Sequence, residues 1–149
     1  MAIAKSPSLG DTCLSDYDKE VLQAIITKTE DYNKRSHERI EIYLTGSSIA
    51  DSDYNDVDLV VVSKSHKQRD LAYLIGKWVE ERLNTENQKD DKSTVFDVEK
   101  YDTYSYMRTG DSYRIKVKST SLHNFDITAG KTLEEALVDR NRKYIKVTS

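Results

Sequence analysis

Apolar residues recur at helical spacing at Val21, Leu22, Ile25 and Ile26, and Ser15 with Asp18 comes close to a capping box, so a helix is predicted from about Asp16 to Arg35. Ile40, Ile42 and Leu44 then alternate with Glu41, Tyr43 and Thr45, a strand pattern that runs straight into Gly46. The nearly unbroken apolar run Val57 to Val62 predicts a second, more buried strand. Leu71, Leu74, Ile75 and Trp78 return to helical spacing and predict a helix from about His66 to Leu83, with the polar segment Asn84 to Lys92 as its exit loop. Three β-like stretches follow, Thr94 to Tyr101, Ser112 to Ser119 and His123 to Thr128, with Thr109-Gly110-Asp111 as a turn between the first two. Thr132 and Glu135 stand at capping-box spacing at the head of a predicted closing helix, Thr132 to Arg142. The pattern is α/β, or α+β: a single mixed sheet, largely antiparallel on one side, flanked by helices.

Length and composition narrow this further. A chain of 149 residues with 37% hydrophobic and 33% charged content has material for one domain with a modest core. Residues 1–14, with Pro7, Gly10 and several serines, read as a flexible leader, and 15–149 as the domain. No run of about 18 apolar residues exists, and Met1 to Leu14 lacks the features of a secretory signal, so the expectation is a cytoplasmic protein with no membrane partner. The single cysteine, Cys13, has no Cys/His cluster around it and suits a reducing compartment. A net charge of −3 argues against a broad electrostatic footprint on nucleic acid, leaving only a local contact open.

The candidate chemistry lies in GSSIADSDYNDVDLVVV, Gly46 to Val62. Asp51-x-Asp53-x-Asn55 copies the first half of a calcium loop, but the second half fails: Asp56 stands where glycine is needed and Val62 where glutamate is needed. A solvated turn explains Asp51 and Asp53. It does not explain Asp58. Side chains two apart on a strand share a face, so Asp56 and Asp58 form a carboxylate pair opposite Val57 and Leu59. Like charges so placed repel unless one is protonated or a cation sits between them, and a hard divalent cation with oxygen ligands is the natural remedy. Magnesium completes its shell with water and substrate phosphates, which points to a nucleoside triphosphate. Gly46-Ser47-Ser48, at the end of the preceding strand, supplies a close backbone approach and donors for phosphate.

Together, IYLTGSS and NDVDLVVV resemble the nucleotidyltransferases of the DNA polymerase β-like superfamily, whose pattern is an apolar strand ending in Gly-Ser, then Asp-apolar-Asp opening the next strand. The resemblance, over roughly residues 15–130, implies a palm-like nucleotidyltransferase fold and a triphosphate held by Gly46, Ser47 and Ser48. It also implies two magnesium ions, or manganese in their place, on Asp56 and Asp58, and a third carboxylate from a later strand. Both VFDVE (Asp97) and NFDIT (Asp126) offer one. The element order looks like that of the oligoadenylate synthetases, which implies Asp126; the compact minimal nucleotidyltransferases have theirs on the first strand after the helix, which would be Asp97. Asp97 also reads simply as an exposed position on an alternating strand.

The activity implied is transfer of a nucleoside monophosphate from a nucleoside triphosphate to an acceptor hydroxyl, on RNA, a small molecule or a protein, with release of pyrophosphate. Relatives that extend RNA add a helical domain that this sequence does not show, which implies a small acceptor, a protein partner or second copy that completes the site, or a stripped remnant. The competing class is therefore a nucleotidyltransferase-like interaction module, antitoxin-type or partner-dependent, with little or no activity alone. Lys64, Lys67 and Lys116 are candidates for triphosphate contact and equally for solvated lysines. Tyr101, Tyr104, Tyr106 and Tyr113 read better as cross-strand pairs than as base-stacking residues. His123 is a candidate proton carrier, and Trp78 is assigned to the core.

Overall fold

The computed structural model describes residues 11–89, 97–102, 112–118, 123–137 and 143–148. Helix α1 (Asp16–Ser36) begins where Ser15 Oγ accepts a hydrogen bond from the Asp18 amide, and ends at His37 in the left-handed conformation. Asn33, near its end, bonds both backbone groups of Ile40: the side-chain amide donates to the carbonyl (2.9 Å) and the side-chain oxygen accepts from the N–H (2.8 Å). This double bond ties the end of α1 to the start of strand β1 (Glu41–Thr45). A 3-10 turn (Ser47–Ile49) leads to β2 (Asp56–Val62), and α2 (Gln68–Lys89) follows. The chain continues through β3 (Asp97–Asp102), β4 (Tyr113–Lys118), β5 (Asn124–Gly130), the four-residue α3 (Leu133–Ala136) and β6 (Tyr144–Lys146).

The six strands form one sheet in the order β3-β4-β5-β2-β1-β6. Only the central β2–β5 pair is parallel; its neighbours are antiparallel. Side-chain alternation gives the sheet two unlike faces. Ile42, Leu44, Val57, Leu59, Val61, Ile115, Val117, Phe125, Ile127 and Ala129 share one core with Val21, Leu22 and Ile25 of α1 and Leu71, Ile75 and Val79 of α2. Gly76 places α2 against Ile115 on this face, where a Cβ would make an ordinary van der Waals contact at 3.6 Å. On the opposite face Tyr43, Val60 and Val62 make a smaller cluster with Leu133, Ala136 and Leu137. Among the described residues, α3 with Leu137 covers that part of the face, and Ala136 and Leu137 line one small cavity with Asp58, Arg114 and Asp126.

Three elements differ from expectation. α2 passes Leu83 and continues to Lys89, so residues 84–89 are helix rather than exit loop; Glu86, Gln88 and Lys89 are good helix formers. The closing helix stops at Ala136, because Leu137 turns to an extended conformation and packs under the sheet with Tyr43 and Val60. The short edge strand β6 went unpredicted: three residues carry too little alternation to register. The turn at residues 109–111 and the rest of the closing helix, 138–142, lie outside the described residues.

Replacing Asn33 with alanine strips both backbone groups of the fully buried Ile40 of their partners. The expected cost is about 1–3 kcal/mol of unfolding free energy, with the denaturant slope unchanged, measured by urea titration.

Candidate functional site

The parallel register sets Asp58 directly opposite Asp126 and Asp56 opposite Asn124. Extending across the sheet, Thr45 pairs with Asp58 and Lys116 with Asp126, so one row runs Thr45, Asp58, Asp126, Lys116 over four strands. Laterally paired residues share a face, and this is the face opposite the helices. The next row, Tyr43, Val60, Thr128 and Arg114, is where charge gives way to the apolar cluster under Leu137. Asp97 lies on the edge strand β3, with β4 and β5 between it and β2. Of the two candidates for a third carboxylate, Asp126 is the one whose strand is bonded to that of the Asp56–Asp58 pair.

Asp126 is a charge taken out of water: its side chain is 5% exposed. Arg114 Nη2 donates to Oδ2 at 2.7 Å, a charge-assisted bond of full strength. Oδ1 is buried with no hydrogen-bond partner among the described residues, and Lys116 Nζ stands 3.8 Å from it. The same ammonium lies 3.4 Å from Asp56 Oδ2. Two cations from β4 therefore answer the carboxylates of β2 and β5. Of the two, Lys116 was a candidate for triphosphate contact and Arg114 was not singled out, although Arg114-Ile115-Lys116-Val117 alternates in a way that sends both basic side chains away from the core. Lys64 and Lys67 follow the far end of β2, roughly 20 Å along the strand from Asp56 at 3.3 Å per residue.

At the upstream side of the row the chain leaves β1 through Gly46, whose φ of 84° and ψ of −164° belong to a region that only glycine occupies without strain. That reversal turns Ser47 outward and Ser48 inward. Ser47 is exposed and its carbonyl receives the amides of Ala50 and Asp51. Ser48 is buried, its Oγ has no hydrogen-bond partner among the described residues, and its carbonyl accepts the Cys13 amide at 3.0 Å. The three residues expected to act together on phosphate are thus split, with the Ser47 hydroxyl on the solvent side.

The acidic loop is anchored by a network that sequence reasoning missed. Asp18, in the first turn of α1 and almost wholly buried, accepts from the Tyr54 hydroxyl and from His123 Nδ1 (2.6 Å) through the same oxygen, Oδ2. The Tyr54 oxygen in turn accepts the Ser15 amide at 2.8 Å, and the Tyr54 and His123 rings lie 4.4 Å apart. His123 is thereby committed to Asp18, immediately before the strand that carries Asp126. Tyr113 packs beside Tyr73 of α2, and Trp78 against the edge of Tyr32, both structural roles.

An all-oxygen carboxylate set with an orphaned buried oxygen fits a hard divalent cation. Among the described residues, however, no three His, Cys, Asp or Glu side chains already converge on one point. The Lys116 ammonium sits between Asp56 and Asp126 instead.

Neither a protein-family model nor any curated protein matches the chain. Among solved structures it is similar to terminal uridylyl transferase 4 from Trypanosoma brucei with bound UPU, at 17% identity and a TM-score of 0.43, over 84% of this chain and 38% of that one. The same enzyme with bound UTP and UMP gives 16% identity and a TM-score of 0.38, over 80% and 36% of the respective chains. The chain thus spans well under half the length of these proteins.

Burial lifts the Tyr54 phenol above its ordinary pKa, and its hydrogen bond to Asp18 adds to the rise. A phenol whose folded pKa exceeds the unfolded value contributes its full stability below about pH 10 and loses it as pH climbs through the folded value. The melting temperature is expected to fall above about pH 10, and to fall less steeply in Tyr54→Phe, in thermal scans between neutral and strongly alkaline pH.

Proposed function

We propose that this chain is a metal-dependent nucleotidyltransferase domain, transferring a nucleoside monophosphate from a nucleoside triphosphate to an acceptor hydroxyl with release of pyrophosphate. The observation that carries this reading is the in-register pairing of Asp58 with Asp126 on the open face of the sheet, with Asp56 on the same face and the Gly46-Ser47 turn at the end of the adjoining strand. A carboxylate row with Asp126 buried and Asp56 and Asp58 half-buried has little value to stability, since desolvating like charges costs more than it returns. Its value is to a cationic, phosphate-bearing ligand.

In this reading Asp56, Asp58 and Asp126 hold two magnesium or manganese ions, and Gly46 and Ser47 meet the triphosphate. When bound, the ions would lower the acceptor's pKa and stabilise charge on the departing pyrophosphate. The acceptor oxygen bonds to the α-phosphorus as the bond to the pyrophosphate oxygen breaks, and a carboxylate oxygen of Asp126 takes the acceptor's proton. Arg114, fixed on Oδ2, orients that carboxylate. The acceptor class is a hydroxyl of RNA, a small molecule or a protein side chain, the last including one from a partner or second copy.

One observation favours the second reading, an interaction module with little chemistry of its own: Arg114 and Lys116 already neutralise Asp126 and Asp56 from within the chain.

Calorimetric titration with each of the four ribonucleoside triphosphates separates the two. The first reading expects magnesium-dependent binding of at least one, weakened at least about 100-fold in Asp58→Asn and in Asp126→Asn, the upper end of what losing even an outer-sphere partner costs a metal site. Absence of binding with and without metal in a folded protein would overturn it in favour of the interaction module.

A further inference from the structure

We propose that Lys116 is a tethered counterion that holds the carboxylate site in its metal-free form, and that a divalent cation enters by displacing it. The proposal rests on the metal-dependent reading above and adds a gate to it.

The charges come first. Asp56 and Asp126 are on different strands, and a single ammonium answers both, at 3.4 Å from Asp56 Oδ2 and 3.8 Å from Asp126 Oδ1. Both distances exceed those of a strong charge-assisted hydrogen bond, about 2.7–2.9 Å, so the ammonium makes one long hydrogen bond to Asp56 and faces Asp126 through charge alone. Arg114 differs. Its guanidinium binds Asp126 Oδ2 at 2.7 Å and takes one oxygen of that carboxylate. Oδ1, buried and without a hydrogen bond, is the oxygen left to a cation, and Lys116 is the charge it faces.

Magnesium needs carboxylate oxygens at about 2.0–2.1 Å, and an ammonium within contact of the same two carboxylates cannot remain there. A doubly charged ion at the shorter distance has the stronger Coulomb attraction for the pair. Lys116 can yield because its charge rides on a flexible four-carbon stem, and its side chain is 20% exposed, so the head has a route to solvent. Arg114 stays and keeps Asp126 oriented. The released ammonium then lies beside the place where the triphosphate's charge arrives. Lys116 therefore opposes metal when no nucleotide is present and turns to phosphate when it is, which links the two binding events beyond any direct coordination.

The test is Mn2+ binding to the nucleotide-free protein, read by the loss of the free-ion paramagnetic resonance signal and by calorimetry. It uses wild type, Lys116→Met, Lys116→Gln, and Lys77→Met as a control for net charge on an exposed helical site. We expect the two Lys116 variants to bind Mn2+ about tenfold or more tightly than wild type, the size of effect one close charge exerts on a neighbouring ionic equilibrium, with Lys77→Met unchanged. Lys116→Gln keeps a polar head in the site should the methionine fail to fold, with circular dichroism as the check. Equal or weaker binding in a folded Lys116 variant than in wild type overturns the displacement alone. No Mn2+ binding by wild type or either variant overturns the metal-dependent reading and the displacement with it.

Discussion

Asp58 and Asp126 stand side by side because two parallel strands pair in one register, and Asp56 shares their face two residues upstream. Three carboxylates brought together in this way repel one another, and the folded chain has to contain that repulsion. It does so with geometry and with cations. The apolar residues alternating with the acids, Val57, Leu59, Phe125 and Ile127, are fully or almost fully buried under α1 and α2 and lock the register, since a slip of one residue would turn them to solvent and the acids into the core. Arg114 and Lys116 reach over from β4 to supply the opposing charge.

A second layer of control acts on the loop that precedes β2. Its only aromatic residue, Tyr54, is nailed to the first turn of α1 through Asp18 and lies tilted against the His123 ring at the mouth of β5. A helix start, a loop and a strand start thus meet at one buried oxygen. That contact fixes where β2 and β5 begin relative to each other, and so supports the same register that the core enforces from below.

Much of this was legible in the sequence. Helical spacing located α1 and the start of α2 within two residues, an apolar run located β2, and β-like patterning located the other four longer strands. Asp56 and Asp58 were legible as a pair because a carboxylate inside an apolar strand has few structural explanations. Asp126 was harder, because Asp97 occupies an identical local context; only strand order separates them, and strand order is not a local property. Arg114 and Lys116 could be assigned to the polar side of β4, but not to any particular carboxylate, for the same reason. Asp18 looked like an ordinary first-turn acid; its burial comes from residues far along the chain. The shortened α3 shows tertiary packing overriding a good capping signal, as Leu137 gains more from the underside of the sheet than from another helical turn.

The parallel pairing of β2 with β5 also bears on how the molecule comes to exist. A hairpin-like contact such as β1 with β2 closes a short loop, whereas β5 can dock on β2 only after α2, β3 and β4 have been laid down between them. Loop-closure entropy makes such a contact a late one. Asp126 therefore stays apart from Asp56 and Asp58, hydrated and cheap to keep, until β5 docks. The repulsion across the two strands is felt only at that step. The pairing of Asp58 with Asp126 is a property of the finished fold alone.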